Sequence, residues 1–169
     1  MTIKLADLST SRLLLRALRK SDERAVLEIQ NDPRTNEFSP HPPTEAVTKR
    51  KLREWLKHWA EQGYGYLAIT ETGADEIIGI GGVQARQFHG EKVLNLYYRF
   101  RPSAWGKGYA SEAAAAIVEW AEREIPERPV VISVNVLNKP SSRVAERLGF
   151  TTFVEEQYDG ALSRHYRRQ

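Results

Sequence analysis

Trp105-Gly106-Lys107-Gly108-Tyr109-Ala110-Ser111-Glu112 decides how this chain is read. Two glycines two apart open an alanine-rich helix directly after an extended aromatic strand, Leu94 to Phe100. Glycine lets a main chain approach a ligand closely and take conformations closed to other residues. The helix that follows aims unpaired N–H groups and its positive dipole end at the same point. A pyrophosphate fits there, and Lys107 adds a charge beside the amides. The octet on its own also fits a tight strand-to-helix turn whose glycines serve packing.

Working outward, Ala110, Ala113, Ala114, Ile117, Val118 and Ala121 share one helix face, and Pro126 and Pro129 end that helix. Val130 to Val136 follows as a buried strand. Pro140 then opens a short helix through Leu148, Gly149 stops it, and Phe150–Gln157 and Ala161–Arg167 pair around Asp159-Gly160. Upstream, Tyr64–Thr70, Glu76–Gln84 and Val93–Phe100 make an antiparallel meander, split by Gly73-Ala74-Asp75 and His89-Gly90-Glu91. Arg12-Leu13-Leu14-Leu15-Arg16 suits a first strand, and Ser21-Asp22 opens a helix through about Gln30 with Val26, Leu27 and Ile29 inward. Pro33, Pro40, Pro42 and Pro43 make Asn31 to Pro43 a surface loop. Thr44 caps a second helix to about Glu61, burying Leu52, Trp55, Leu56, Trp59 and Ala60. The order β-α-α-β-β-β-α-β-α-β-β predicts an α/β (α+β) fold: one mixed sheet of about seven strands with four helices on both faces, three layers in all.

Composition narrows the class. A chain of 169 residues, 41% hydrophobic and 28% charged, predicts a single domain over residues 1–169. No apolar run approaches the roughly 20 residues of a membrane span, and Met1-Thr2-Ile3-Lys4-Leu5 lacks the apolar stretch of a signal peptide, so a soluble cytoplasmic protein without a membrane partner is expected. The chain has no cysteine, which removes disulfides, thiolate metal sites and a Cys nucleophile. His41, His58, His89 and His165 stand far apart, so no metal site is expected. Formal charge is only +3, and Arg164, His165, Arg167 and Arg168 read as a solvated basic tail rather than a nucleic-acid surface.

The strand end Tyr97-Tyr98-Arg99-Phe100-Arg101-Pro102, the turn Trp105 to Ala110, and Asn138-Lys139-Pro140-Ser141-Ser142 leading to Glu146-Arg147-Leu148-Gly149-Phe150 closely resemble the GCN5-related N-acetyltransferases, the GNAT family. Within it the chain resembles the branch of ribosomal-protein N-terminal acetyltransferases, to whose first strand Ser11 to Arg16 is similar. The resemblance covers essentially the whole chain and implies the acyl-CoA N-acyltransferase fold with acetyl-CoA as co-substrate. The family's Arg/Gln-x-x-Gly-x-Gly/Ala signature maps onto Trp105 to Ala110: Gly106, Gly108 and Ala110 match, Lys107 and Tyr109 lie between, and Trp105 stands where Arg or Gln is common. The resemblance further implies that Phe100 and Arg101 offer main-chain groups to the pantetheine arm, between strands that splay. Asn138 and Ser141 match the polar pair facing pantetheine and thioester.

The chemistry asks for a neutral amine, a proton acceptor, N–H groups for the oxyanion, and a hydroxyl to protonate sulfur. The resemblance also bears on the base: many relatives in the branch carry an acid in the strand before the glycine turn, at the position that is Asn95 in this chain. Asn is no general base, so a water relay or a carboxylate from elsewhere, such as Glu37, is required. Simple readings stand beside these: solvation for Glu37, a strand-edge hydrogen bond for Asn95, a helix cap for Ser141. The acceptor groove is expected among Asn31–Pro43, Gln84–Val93 and Tyr158–His165, lined by Phe38, His41, Phe88 and His89. A peptide N-terminus or a small-molecule amine fits this reading, with the protein a monomer or homodimer. The alternative is a non-catalytic acyl-CoA-binding module. Nucleotide hydrolysis is disfavoured, because Gly106-Lys107-Gly108 lacks the upstream Gly and the Ser/Thr of a phosphate-binding loop.

Overall fold

A computed structural model describes residues 3–168. Its eight strands are β1 (Leu8–Ser9), β2 (Leu13–Ala17), β3 (Tyr66–Glu71), β4 (Ile77–Phe88), β5 (Glu91–Phe100), β6 (Val130–Asn135), β7 (Phe150–Tyr158) and β8 (Ala161–Arg168). They form one sheet in the order β1-β2-β3-β4-β5-β6-β8-β7, antiparallel except where β5 meets β6. The helices are α1 (Glu23–Gln30), α2 (Glu45–Gln62), α3 (Tyr109–Glu124) and α4 (Lys139–Arg147).

The sheet divides two cores. On one side α3 buries Ala113, Ala114, Ile117, Val118 and Ala121 against Leu94, Leu96 and Phe100 of β5. On the other, α1 and α2 close Val26, Ile29, Leu52 and Trp55 over Tyr66, Ala68 and Ile80. Alternation along β5 therefore gives even-numbered residues to the α3 side and odd-numbered ones to the α1/α2 side.

Several expectations need correction. The sheet has eight strands, because Leu8 and Ser9 pair with Leu15 and Leu14 in a two-residue strand too short to carry a periodic signal. The β4–β5 connection is only His89-Gly90, both at positive φ (48° and 79°), which lets the strands run to Phe88 and from Glu91. Ala60 is exposed and Leu27 only half-buried, whereas Gln30 is buried and its side-chain carbonyl accepts the Tyr97 hydroxyl at 2.8 Å. A hydrogen bond makes that polar burial tolerable. The proline-rich loop contains a 3-10 turn, Pro33–Asn36, whose N-terminal N–H from Arg34 is accepted by Asp32 at 2.8 Å.

Two polar anchors fix the α1/α2 layer. Asp22, buried ahead of α1, takes both guanidinium nitrogens of Arg16 at 2.9 Å and the Arg19 N–H at 2.8 Å. Burial alone would raise the Asp22 carboxyl; these bonds outweigh it and hold it below its ordinary value. His58 of α2 lies with Nδ1 2.9 Å from the Tyr64 carbonyl and Nε2 3.0 Å from the Ala85 N–H. Those partners assign the neutral tautomer: Nδ1–H donates to the carbonyl and Nε2 accepts from β4.

Candidate active site

The glycine turn is built by backbone conformation. After Phe100 a 3-10 turn, Pro102–Ala104, leads to Trp105 in extended conformation, and then Gly106 and Gly108 both take φ 78°. L side chains rarely adopt that region, so glycine is required at both positions. Gly108 caps α3, and among the described residues nothing beyond its chain neighbours lies within 4 Å of where a Cβ on Gly106 would stand. Trp105 (49% exposed) and Lys107 flank that open space. Tyr109 is buried and Ala110 half-buried, so they brace the turn from beneath.

The first turn of α3 is tied down firmly. Glu112 accepts from Thr10 Oγ1 at 2.5 Å, the Arg12 N–H at 3.1 Å and Arg12 Nε at 2.7 Å. The Tyr109 hydroxyl donates to Glu71 at 2.6 Å, and the Arg12 guanidinium lies 4.6 Å over the Tyr109 ring. Free N–H groups, open space and a fixed helix end fit a pyrophosphate.

Beside this turn the sheet opens. β5 and β6 pair only at Leu94↔Val130 and Asn95↔Val131, and beyond that the parallel strands part. The Arg101 N–H donates to Ile78 and the Leu94 N–H to Pro129, so odd residues spend their main-chain groups on β4. Even residues, Tyr98 and Phe100, turn theirs into the gap. The Phe100 carbonyl already accepts Trp105 Nε1 at 3.0 Å. Arg101 has its carbonyl on the Ala104 N–H and its guanidinium on Ile77 and Glu28, so it braces the turn and offers the gap no free main-chain group. An extended arm with its own amides fits the remaining edge of β5 around Tyr98.

Across the gap, Asn138 Oδ1 accepts the Ser141 N–H at 3.2 Å and caps α4. The capping role falls to Asn138. Ser141 Oγ is thereby left for the Tyr98 hydroxyl, 2.7 Å away. Burial pushes the Tyr98 hydroxyl up to about 12, with the Ser141 bond opposing. Tyr98, quoted in the sequence only as a strand residue, thus joins Ser141.

The α1/α2 face of the gap is polar. Asn95 Oδ1 accepts Arg86 Nη1 at 2.9 Å, and Asn95 Nδ2 donates to the Tyr66 hydroxyl at 3.0 Å. Gln84 lies opposite Asn95 in register, and its Nε2 is buried without a hydrogen-bond partner among the described residues. Over this face runs the proline-rich loop. Asn36 Oδ1 accepts Arg99 Nη1 of β5 at 3.1 Å, and the Phe38 carbonyl accepts Asn135 Nδ2 of β6 at 2.8 Å, so the loop spans the gap.

The residues expected to line a groove divide. Phe38 is half-buried on the spanning loop; His41 is exposed, its ring beside Gly160 of the β7–β8 turn. Phe88 is buried with Val93 and Val131, and so forms the floor rather than a wall. His89 is exposed, its Nε2 2.9 Å from Glu156 Oε1. Glu37 is exposed on the loop and makes no ion pair among the described residues, whereas Glu156 stands against two histidines. Among the described residues no group of three or more His, Cys, Asp or Glu could hold a metal, and no helix is long and apolar enough to cross a membrane.

Comparison with known proteins places this geometry. The family described as "Acetyltransferase (GNAT) domain" matches residues 12–151. The chain is 33% identical over 150 residues to the uncharacterized protein YkkB of Bacillus subtilis, covering 84% of this chain and 83% of that one. An acetyltransferase from Agrobacterium tumefaciens superposes with a TM-score of 0.82 at 28% identity, over 100% of this chain and 97% of that one. A ribosomal-protein-S5-alanine acetyltransferase from Vibrio fischeri shares the fold, at a TM-score of 0.68, 18% identity, and 95% and 93% coverage. The chain belongs to the GNAT acetyltransferase family. It is an acetyltransferase, and such enzymes transfer an acyl group from acetyl-CoA to an acceptor.

Proposed function

We propose that this chain moves the acetyl group of acetyl-CoA to a primary amine, a protein N-terminus or a small molecule, by direct attack within a ternary complex in the cytoplasm. One observation carries the reading: the β5–β6 gap runs from the glycine turn on one side of the sheet to Asn95, Gln84 and Arg86 on the other. A thioester lying in the gap is reached by an amine from the opposite face, so both substrates are held at once without sharing a pocket.

The roles follow from placement. Acetyl-CoA supplies an activated acyl group whose leaving thiolate needs a proton. Gly106 to Ala110 hold the pyrophosphate, Lys107 adds charge, and Trp105, through its bond to the Phe100 carbonyl, shapes the turn. Asn138 fixes the helix that presents Ser141, and Ser141 protonates sulfur. Asn95, held by Arg86 and Tyr66, orients the acceptor or a water beside it. The Arg86 cation favours the neutral form of an arriving amine. Phe38, His41, Phe88 and His89 bound the acceptor region.

A screen of amines and short peptides of varied N-terminal residue, read by release of free CoA, tests the proposal. Release with at least one amine is the expected outcome. Tight acetyl-CoA binding with no release across the panel would instead identify an acyl-CoA-binding module. Asn95→Ala should cost less rate than Ser141→Ala, since one orients and the other transfers a proton.

A further inference from the structure

Past the last β5–β6 pair at Asn95↔Val131, the next β6 residue on the α1/α2 face is Ser133, at the lip of the gap. Ser133 stands opposite His165 in the β6–β8 register, and its Oγ lies 2.7 Å from His165 Nδ1. His165 is 2% exposed, its ring boxed by Phe88 at 4.5 Å and by Tyr158, in a T-shaped pair, at 5.0 Å between centroids. Glu156 Oε1 lies 3.2 Å from His165 Nε2, so that nitrogen has charge beside it, and among the described residues no well-aligned hydrogen bond satisfies it.

A purely structural buried histidine has both ring nitrogens satisfied, as His58 does. His165 does not. The carboxylate beside Nε2 selects the Nε2–H tautomer, leaving Nδ1 as a base that accepts from Ser133. The groups facing the ring are Glu156 and Tyr158 of β7, Arg86 of β4 and His89 of the β4–β5 turn. Burial holds His165 below its ordinary value, Arg86 and His89 push the same way, and Glu156 opposes them. The imidazole is therefore neutral near pH 7, with a counter-ion in place for the moment it gains a proton.

We infer that Ser133 and His165, backed by Glu156, form the relay that takes the proton lost by the acceptor amine. This rests on the amine acetylation proposed above. The amine nitrogen forms a C–N bond to the acetyl carbon, and the C–S bond breaks with its electron pair on sulfur. The N–H proton passes to Ser133 Oγ as the Ser133 proton moves to His165 Nδ1, and the imidazolium pairs with Glu156. Sulfur is protonated from Ser141, and solvent returns the proton from His165 to the Ser141–Tyr98 pair. The relay supplies the base function that Asn95 cannot.

The test uses the full chain, acetyl-CoA and a pool of tripeptide amides with free, varied N-termini, read by CoA release. His165→Ala and Ser133→Ala should each lower kcat by about 10²-fold, the range for one positioned proton-transfer group, with acetyl-CoA affinity within about twofold. Imidazole should restore His165→Ala and leave Ser133→Ala unchanged. The wild-type kcat/KM should fall as the amine protonates and steepen below ~6.5, where His165 gains its proton, a second step absent from His165→Asn. Glu156→Gln should move that step to lower pH, because the carboxylate raises His165. His165→Asn keeps a hydrogen bond for Ser133, so it serves if the alanine variant melts early. Wild-type rate and an unchanged pH profile in His165→Asn would overturn the relay alone. A wild-type chain that binds acetyl-CoA and releases no CoA with the pool would overturn the acetylation reading, and the relay with it.

Discussion

The Tyr98 hydroxyl lies 2.7 Å from Ser141 Oγ, joining β5 to α4 across the widening part of the sheet. With Tyr98 pushed up to about 12, it remains a proton donor through the whole working range, and it can refill Ser141 as that hydroxyl gives its proton to sulfur. Ser141→Ala should lower kcat by roughly 10²-fold with little change in acetyl-CoA affinity. Tyr98→Phe should cost less, about tenfold, since Ser141 retains its hydroxyl but loses its orienting partner. Single-turnover rates check both, and a wild-type rate in Ser141→Ala removes Ser141 from the chemistry.

Gly106 offers a clean test of the anion turn, because among the described residues nothing beyond its chain neighbours lies within 4 Å of its would-be Cβ. Gly106→Glu places a carboxylate where phosphate oxygens are expected. Acetyl-CoA affinity should fall at least tenfold, about 1.4 kcal/mol. The positive φ adds a folding cost of about 1 kcal/mol, visible as a lower melting temperature. Calorimetry giving unchanged affinity in the folded variant would contradict the assignment.

His58 links stability to acidity. Burial, with Arg128 adding to it and the Tyr64 carbonyl and Glu61 opposing, holds His58 below its ordinary value. A depressed folded pKa means that the contribution is complete above the unfolded value of ~6.5 and is lost as pH falls towards the folded one. Protonated Nε2 can no longer accept the Ala85 N–H. The melting temperature should be flat from pH 7 to 8 and decline below 6.5. His165 contributes with the same sign, so His58→Gln should flatten only part of the decline.

Removing Asp22 should be among the costliest changes outside the site. Asp22→Ala leaves the Arg16 guanidinium without its paired carboxylate and the Arg19 N–H without its acceptor. Breaking a buried pair from one side costs about 3 kcal/mol, to be read from denaturant midpoints. A loss within the ordinary surface range of about 0.5 kcal/mol would show that solvent reaches the pair.

What the sequence reveals follows its punctuation. Gly108, Pro126, Pro140 and Gly149 mark the ends of α3 and α4 by local chemistry, so those elements and the turn between β5 and α3 are legible from single residues and their neighbours. The short pairing of Leu8 with Leu15 leaves no periodic trace. Ala60 continues the spacing of the buried stripe, yet it is exposed, while its neighbours His58 and Trp59 spend their ring nitrogens on backbone groups of Tyr64, Ala85 and Tyr66. Tyr98 and Ser141 are each visible as residues, but their contact joins positions 43 apart through the sheet. Ser133, Glu156 and His165 come together only because β8 inserts between β6 and β7. No spacing along the chain encodes that.

The loop that carries Asn36 and Phe38 is moored at two points, one on each strand of the parting pair. Any widening of β5 from β6 as the acyl donor enters must lengthen one mooring or draw the loop with it. Donor arrival and acceptor access are thus mechanically joined, and the natural outcome is a compulsory order of addition in which acetyl-CoA precedes the amine. Product CoA should then compete with acetyl-CoA alone, and Asn135→Ala, which frees one mooring, should relax the order towards random; inhibition patterns already random in the wild type would show that the loop yields without resistance.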